Sequence, residues 1–410
     1  MPRVVVVGAG AAGTMAAIFA ASAGAETLLI ERTKDGGRKI LISGGGRCNI
    51  LPAHVDESRF VTDSAPHLLR RIVRSWPLRE QMAFFEQELG LPLVEETSSG
   101  KLFPQSQSAR DVRDRLLAHA RRAGVNIITD TLVTGVTPSA GRWTVTQHDK
   151  GHIDGDAVVL ATGGLSVPTT GSDGRGLEMA GLLGHAINPT YAALTPLIQN
   201  RSADGSIFRG LSGVSLPVTI TARTAAREAR ATGGFLFTHQ GYSGPSVLDV
   251  SHVAVRSLAE GREAARLTVQ WAPLREAEWE EAFRPRGART VLSVVAAELP
   301  HRLAEILLAA NQIDAGRPLA QLGRVERRRL IDTLVRGPLP YTGDEGYRKA
   351  EVTGGGVNLA EIDPLTMESR RHPGLFLCGE MLDAFGPIGG YNFLWAWATG
   401  RAAGLGAAQL

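Results

Sequence analysis

The amino-acid sequence predicts an α/β protein in which both ends of the chain contribute to one parallel sheet. Apolar strands at 4–7, 157–160 and 374–378 each run into a glycine turn. Strands that are apolar on both faces are typical of parallel sheets. Between them, short alternating strands fill 194–272, and a segment rich in Ala, Leu, Glu and Arg follows. The central part of the chain is therefore predicted to interrupt the parallel sheet as an insertion.

The domain boundaries follow from these changes of pattern. We expect one α/β domain in two segments and an insertion with a β part and a helical part. The expected ranges are 1–193 and 350–410 for the α/β domain, 194–272 with 337–349 for the β part, and 273–336 for the helical part.

Length and composition exclude several classes of protein. The chain has 410 residues, a mean hydropathy of -0.02 and 21% charged residues, which are values of an ordinary globular protein of two or three domains. The net charge of +3 is too small to require a nucleic acid or membrane partner. With two cysteines, Cys48 and Cys378, there is no disulfide framework and no CxxC zinc site. We expect a cytoplasmic protein without a bound metal.

The amino-terminal segment predicts a dinucleotide site. The run 4–25 carries no charge, but its glycines exclude a membrane helix and indicate strand, turn, helix and strand. In the turn, Gly8 permits the bend, Gly10 lets a diphosphate approach the main chain, and Gly13 allows the helix to pack on the strand. Glu31 ends the second strand as an acceptor for a ribose hydroxyl. Its charge favours FAD or NAD over NADP.

The segment 36–49, GGRKILISGGGRCN, follows this unit. Its glycines and the cations Arg38, Lys39 and Arg47 suit a stretch that lies across an extended ligand. An exposed flexible loop explains the same composition equally well. Cys48 has no nearby cysteine partner, so thiol relay chemistry is disfavoured, and Cys48 is interpreted as a small packing residue.

Two later glycine turns extend the predicted site. The strand 157–160 ends in Ala161, Thr162 and Gly163, where a chain passes close to a nucleotide already bound at the first turn. Near the carboxyl terminus, a buried strand ends in Gly379 and a helix opens at 389–392. The amides and dipole of that helix would face a flavin pyrimidine edge, where reduction places negative charge.

The insertion offers weaker signals. His239 follows a strand and could donate a proton, although a hydrogen-bonded turn residue is the more common role of such a histidine. The run Arg324, Arg327, Arg328 and Arg329 is typical of a solvated helix face, and it could also attract a phosphate-bearing ligand.

Six motifs together resemble one family, the aminoacetone oxidase-like flavoproteins, also called the BaiN or YhiN type. They are GRKILISGGGRCN, LATGG, PTTGSDGRG, FTHQGYSGPSVLDVS, AEVTGGGVN and CGEMLDAFGPIGGYNFLWAWATG. The resemblance spans nearly the whole chain. It implies a glutathione-reductase-like Rossmann domain that binds FAD, interrupted by a β-barrel part and a helical part. The chain departs from the family at 50–52, where relatives commonly continue Thr-Asn after Arg47-Cys48-Asn49.

The sequence therefore predicts a FAD-dependent oxidoreductase that exchanges hydride between flavin N5 and a small organic substrate, with NADH or NADPH as electron donor. A flavin-dependent amine oxidase that uses oxygen and an RNA-associated flavoprotein are the alternatives. Candidate catalytic residues are His239, Arg47, Lys39 and Tyr391. Candidate cofactor-binding residues are Gly8, Gly10, Ala11, Ala12, Gly13, Glu31, Arg32, Arg38, Lys39, Gly45, Arg47, Cys48, Val133, Ala161, Thr162, Gly163, Gly379, Glu380, Asp383, Gly389, Gly390, Tyr391 and Asn392.

Overall fold

The computed structural model describes residues 1–97, 99–199, 208, 210–261, 263–285 and 288–410. The chain divides into two units. The first comprises Met1–Ala192 and Glu351–Leu410, and the second comprises Ala193–Ala350. Part of the predicted β segment, residues 200–207, 209 and 262, lies outside the described residues.

Strands and helices alternate along the chain in the first unit, whereas in the second unit most of the strands come before most of the helices. The strands are β1 (Arg3–Val7), β2 (Glu26–Ile30), β3 (Leu51–Pro52), β4 (Leu93–Glu96), β5 (Lys101–Pro104), β6 (Asn126–Ile128), β7 (Val133–Ser139), β8 (Arg142–Gln147), β9 (Gly151–Gly155), β10 (Ala157–Leu160), β11 (Ile187–Ala193), β12 (Leu197–Ile198), β13 (Ser215–Arg223), β14 (Glu228–Phe237), β15 (Gly241–Ser243), β16 (Arg266–Gln270), β17 (Gly337–Pro338), β18 (Gly343–Asp344), β19 (Val352–Val357) and β20 (Leu375–Leu377). The helices are α1 (Ala11–Ser22), α2 (Arg38–Ile42), α3 (Pro66–Arg74), α4 (Leu78–Ala83), α5 (Ala109–Arg122), α6 (Arg175–Leu182), α7 (Pro245–Ala259), α8 (Glu276–Ala282), α9 (Val291–Val295), α10 (His301–Ala310), α11 (Arg324–Arg336) and α12 (Tyr391–Ala407).

A five-stranded parallel sheet forms the centre of the first unit. Its strand order is β20-β10-β1-β2-β6, so both ends of the chain contribute, as the sequence predicts. Val5 lies between Val158 and Leu28 in register. The valines of β1 are buried on both faces of the sheet, which explains why β1 reads as a continuous apolar run. The mixed α/β fold with a Rossmann-type domain is confirmed.

The last helix, α12, packs directly on α1. A Cβ atom on Gly400 would lie 2.3 Å from the Ala12 carbonyl oxygen, and one on Gly404 would lie 2.2 Å from that of Ala16. Only glycine permits this approach, because contacts below 3.0 Å with backbone atoms force a shift. Smaller sheets, β3-β5-β4, β7-β8-β9 and β11-β19, complete the first unit.

The second unit has a seven-stranded sheet in the order β17-β16-β13-β14-β15-β12-β18. Its hydrophobic core is separate from that of the first unit and contains Trp271 and Trp279. The predicted helical segment holds α8 to α11. The prediction of strands through 194–272 misses α7, which begins with Pro245 at its first turn. The valine-rich sequence of α7 favours a strand, but burial of the helix overrides that local preference.

Candidate functional site

The glycine turn at 8–13 meets the steric demands expected of it at two of its three positions. Gly8 has φ +105°, and a Cβ there would lie 2.6 Å from the Ala161 carbonyl oxygen. A Cβ on Gly13 would lie 1.9 Å from the Gly8 carbonyl oxygen. At Gly10, by contrast, a Cβ would meet nothing within 4 Å. The chain's own packing therefore explains Gly8 and Gly13, whereas Gly10 leaves open space beside the start of α1.

The Glu31 carboxylate is fixed at the end of β2. Its Oε2 accepts a hydrogen bond from the Ala9 amide at 2.8 Å, and its Oε1 accepts from the Thr33 amide at 2.8 Å and hydroxyl at 2.7 Å. Glu31 is buried and lines the same cavity as Gly10. A preoriented carboxylate with remaining lone pairs suits a ribose hydroxyl.

A cavity of about 560 Å³ runs past these groups, within the volume range of small-molecule and cofactor sites. It lies wholly in the first unit. Most of the predicted cofactor-binding residues line it. They are Gly8, Gly10, Ala11, Ala12, Glu31, Arg32, Arg38, Lys39, Gly45, Arg47, Val133, Ala161, Thr162, Gly163, Gly379, Glu380, Gly389, Gly390 and Asn392.

Four predicted residues lie outside the cavity lining. Gly13 packs on the turn. Asp383 is buried, and its Oδ2 accepts five hydrogen bonds from Thr62, Asp63, Ser64 and Asn188. The remaining two are Cys48 and Tyr391.

Cys48 and Tyr391 each have a structural environment of their own. Cys48 is fully buried, and burial raises the pKa of its thiol to about 12, so the thiol is protonated at neutral pH. The Tyr391 hydroxyl donates to the His54 carbonyl oxygen and accepts from the Asp56 amide, both at 3.2 Å. His239 belongs to the second unit, where it is exposed and hydrogen-bonded with Ser212 at 3.2 Å.

The start of α12 forms one end of the cavity. Gly389 and Gly390 have φ of +126° and +93°, and no side chain caps the helix. Asn392 lines the cavity, while its side-chain amide bonds both the N–H and the C=O of Gly386 at 2.9 Å. The Asn392 amide thus holds the loop that brings the helix terminus to the cavity.

Lys39 and Glu380 form an ion pair in the cavity wall. Lys39 Nζ donates to Glu380 Oε2 at 2.6 Å and to the Ser166 hydroxyl at 2.7 Å. Glu380 Oε1 accepts further bonds from Ser166 and from the amide and hydroxyl of Thr353. This network of hydrogen bonds connects α2 to the segment after β20, although the two are distant in sequence.

Arg47 is held by two neighbours at the cavity edge. Its guanidinium lies 4.1 Å from the Phe103 ring centroid and 3.0 Å from Glu96 Oε1. Hydrogen bonds from Ser99 and Arg47 hold the pKa of the Glu96 carboxyl below its usual range. The Arg47 charge is therefore largely compensated within the protein.

Several residues that line the cavity are not among the predicted ones. They include Ser43, Asn49, Lys101, Phe103, Thr131, Glu351, Val352, Ile388 and Phe393. Lys101 and Phe103 are two residues apart in β5, so their side chains lie on the same face of the strand. The sequence does not show which face of β5 lines the cavity.

These residues fit FAD. The open space at Gly10 and the uncapped amides of α1 accommodate a diphosphate, and Glu31 accommodates a ribose. The family described as the HI0933-like protein Rossmann domain matches residues 2–406 of the chain. The chain belongs to the HI0933-like family. It is a FAD-dependent oxidoreductase, and the family resemblance predicted from the sequence motifs is confirmed.

Curated relatives within this family cover nearly the whole chain. The chain is 33% identical to a ribosomal RNA dihydrouridine synthase of Escherichia coli, over 96% of this chain and 95% of that protein. It is 32% identical to a 3-dehydro-bile acid delta(4,6)-reductase of Clostridium scindens over 100% of both chains. Among solved structures, the Mycobacterium smegmatis Sdh1 complex in the apo form matches with a TM-score of 0.50 and 15% identity. That match covers 100% of this chain and 68% of Sdh1 and reflects a shared fold.

Membrane-spanning helices and metal-binding clusters are both absent from the described residues. None of their helices combines the length and apolar character that a bilayer crossing requires. The described side chains also contain no group of three or more His, Cys, Asp or Glu arranged to hold a metal ion.

Proposed function

We propose that this protein reduces a carbon–carbon double bond conjugated to a carbonyl group, with NADH or NADPH as electron donor. The two relatives named above differ greatly in the size of their named substrates. Uridine and a 3-dehydro-Δ4,6 bile acid nevertheless share a C=C bond conjugated to a carbonyl. Similar identity to both supports a common bond chemistry rather than a common substrate.

The observation that carries the proposal is the positive character of the cavity next to α12. Lys101 and the uncapped start of α12 both lie at its lining, whereas the charge of Arg47 nearby is compensated by Glu96. Addition of hydride to a conjugated double bond places negative charge on the carbonyl oxygen. Positive groups and helix amino termini stabilise such charge in a site shielded from water.

The chain's own residues would hold FAD along the whole cavity. Gly10 and the first amides of α1 would bind the diphosphate, Glu31 a ribose hydroxyl, and Gly389 and Gly390 the ring. When bound, FAD supplies hydride exchange at N5, and the protein supplies orientation and electrostatics.

The proton that accompanies the hydride must come from a group that reaches the substrate. Among the predicted catalytic residues, Lys39 and Arg47 line the cavity. We propose them as the first candidates to anchor the substrate carbonyl or to transfer that proton.

Anaerobic mixing tests the proposed function. We expect NADH or NADPH to bleach the flavin absorbance of the purified holoenzyme. A conjugated enone such as 2-cyclohexenone should then restore that absorbance, and its unconjugated isomer 3-cyclohexenone should leave it bleached. If an amine reduces the flavin, and oxygen restores its absorbance but enones do not, the protein is an amine oxidase and the proposal is wrong.

A second candidate function, binding of RNA as a substrate or partner, is favoured by the charge distribution. Residues 193–350 contain 21 Lys and Arg against 16 Asp and Glu, whereas the remaining residues contain 23 against 25. In α11, Arg327 pairs with Glu280 at 3.0 Å, but Arg324 and Arg328 are exposed. The basic surface of the second unit would attract phosphates.

Binding of a ribosomal RNA fragment at two salt concentrations tests this candidate. We expect binding at 50 mM salt that weakens by about tenfold or more at 200 mM, because counterions are released on phosphate binding. The double variant Arg324→Glu, Arg328→Glu should weaken it further, while Arg70→Glu in the first unit serves as the control. Absence of binding at 50 mM salt would eliminate RNA recognition.

A further inference from the structure

Six cations line the cavity, and five of them are neutralised by carboxylates of the protein. The pairs are Arg32 and Arg175 with Asp173, Arg38 with Asp35, Lys39 with Glu380, and Arg47 with Glu96. Lys101 is the exception. Within the part of the chain that the structure describes, its ammonium group has no hydrogen bond and no ion pair within 4.0 Å, although its charge acts on the Glu96 carboxylate from a longer distance.

Lys101 stands on β5 beside the start of α12. Its Cε lies 3.9 Å from the position that a Cβ on Gly389 would occupy, and α12 begins two residues further on. Phe103, two positions along β5, lines the cavity as well, as the alternation of a strand requires. The Lys101 side chain therefore runs along the cavity wall at its α12 end.

The carboxylate that could neutralise Lys101 is engaged elsewhere. Glu96 is the cross-strand partner of Lys101 in the β4–β5 pair. Its carboxylate accepts instead from Arg47 at 3.0 Å and from the Ser99 hydroxyl at 2.5 Å. Because Glu96 acts on Lys101 only from a longer distance, the ammonium group can still contact an anion bound in the cavity.

We propose that Lys101 tunes the redox potential of the flavin by stabilising its anionic reduced form. A nicotinamide transfers hydride to N5 and becomes oxidised, and the flavin gains two electrons and one proton. The reduced ring then carries one negative charge, which is centred on N1 and the C2 carbonyl. Lys101 would lie at this pyrimidine end, together with the amino terminus of α12. The inference depends on FAD binding but not on the proposed substrate.

Redox titration of flavin-loaded variants without substrate tests this role. We expect Lys101→Met to destabilise the two-electron-reduced flavin by about tenfold, which lowers the midpoint potential by about 30 mV. The dissociation constant of sulfite should rise by a similar factor, because the N5–sulfite adduct carries the same negative charge. Lys101→Arg should retain most of both properties. Lys34→Met, an exposed cation outside the cavity lining, controls for net charge.

A wild-type potential and sulfite affinity in FAD-replete Lys101→Met would overturn the proposal. If that variant fails to fold or to bind FAD, Lys101→Gln, which keeps a polar side chain, provides the same comparison. Because neither measurement involves a substrate, failure of the enone experiment would leave this inference untouched. Conversely, a normal potential in the variants would not affect the proposed reaction.

Discussion

The Gly10→Ala variant is expected to fold like the wild-type protein and to bind FAD about 100-fold more weakly, a loss of about 2.7 kcal/mol. Gly10 has φ -78° and ψ -169°, which alanine adopts without strain. The added methyl group meets no protein atom within 4 Å. It would instead occupy the space through which the diphosphate approaches the amides of α1. Titration of the apoprotein with FAD, followed by flavin fluorescence, measures the effect.

Gly13→Ala is the contrasting variant. Its methyl group would lie 1.9 Å from the Gly8 carbonyl oxygen, so the turn itself must shift. We expect a lower free energy of unfolding of the apoprotein for Gly13→Ala and a change within about 0.5 kcal/mol for Gly10→Ala. Wild-type FAD affinity in Gly10→Ala would show that the diphosphate lies elsewhere.

The Asp383→Ala variant is expected to lose about 3–5 kcal/mol of the free energy of unfolding. Asp383 is 2% exposed, and its Oδ2 accepts five hydrogen bonds at 2.7–3.1 Å. Removal of the carboxylate leaves the amides at Asp63 and Ser64 and the Asn188 side chain without that acceptor. Each buried unsatisfied donor costs about 1–3 kcal/mol, although neighbouring losses do not add fully. Urea unfolding of the apoprotein measures the loss.

Asp383→Asn distinguishes the acceptor role from the charge. The asparagine oxygen can accept the same bonds, so we expect a loss of only about 1–2 kcal/mol. Asp149→Ala, at an exposed carboxylate, is the matched control. If Asp383→Ala instead unfolds like the wild type and FAD affinity falls, the carboxylate contacts the cofactor, as the sequence analysis predicts, and the hydrogen-bond network contributes little to stability.

Sequence patterns predicted those parts of the fold that local physics determines. Helix α5 is an example, because the Ser108 side chain caps its first turn and its apolar residues recur on one face. The prediction that β1, β10 and β20 belong to one parallel sheet rested on a pattern that all three share: each is an apolar strand that runs into a glycine turn. α7 was missed because its valines favour a strand and only burial within the second unit makes the helix stable.

The position of the cavity was predictable where a turn or a strand end determines it. Gly10 and Glu31 follow from spacing alone, because a turn and a strand end fix their positions. Lys101 was missed because its place in the cavity wall depends on where β5 packs, which its sequence does not determine. A sequence motif also does not show which of its side chains face the cavity. Tyr391 and Asn392 are adjacent in sequence, yet of these two only Asn392 lines the cavity.

A crystal structure of the flavin-loaded protein tests the central claim most directly. We predict a single FAD that extends along the first unit, with its diphosphate against Gly10 and its isoalloxazine ring beside Gly389 and Lys101. FAD bound in the opposite orientation, or outside this cavity, would contradict the account.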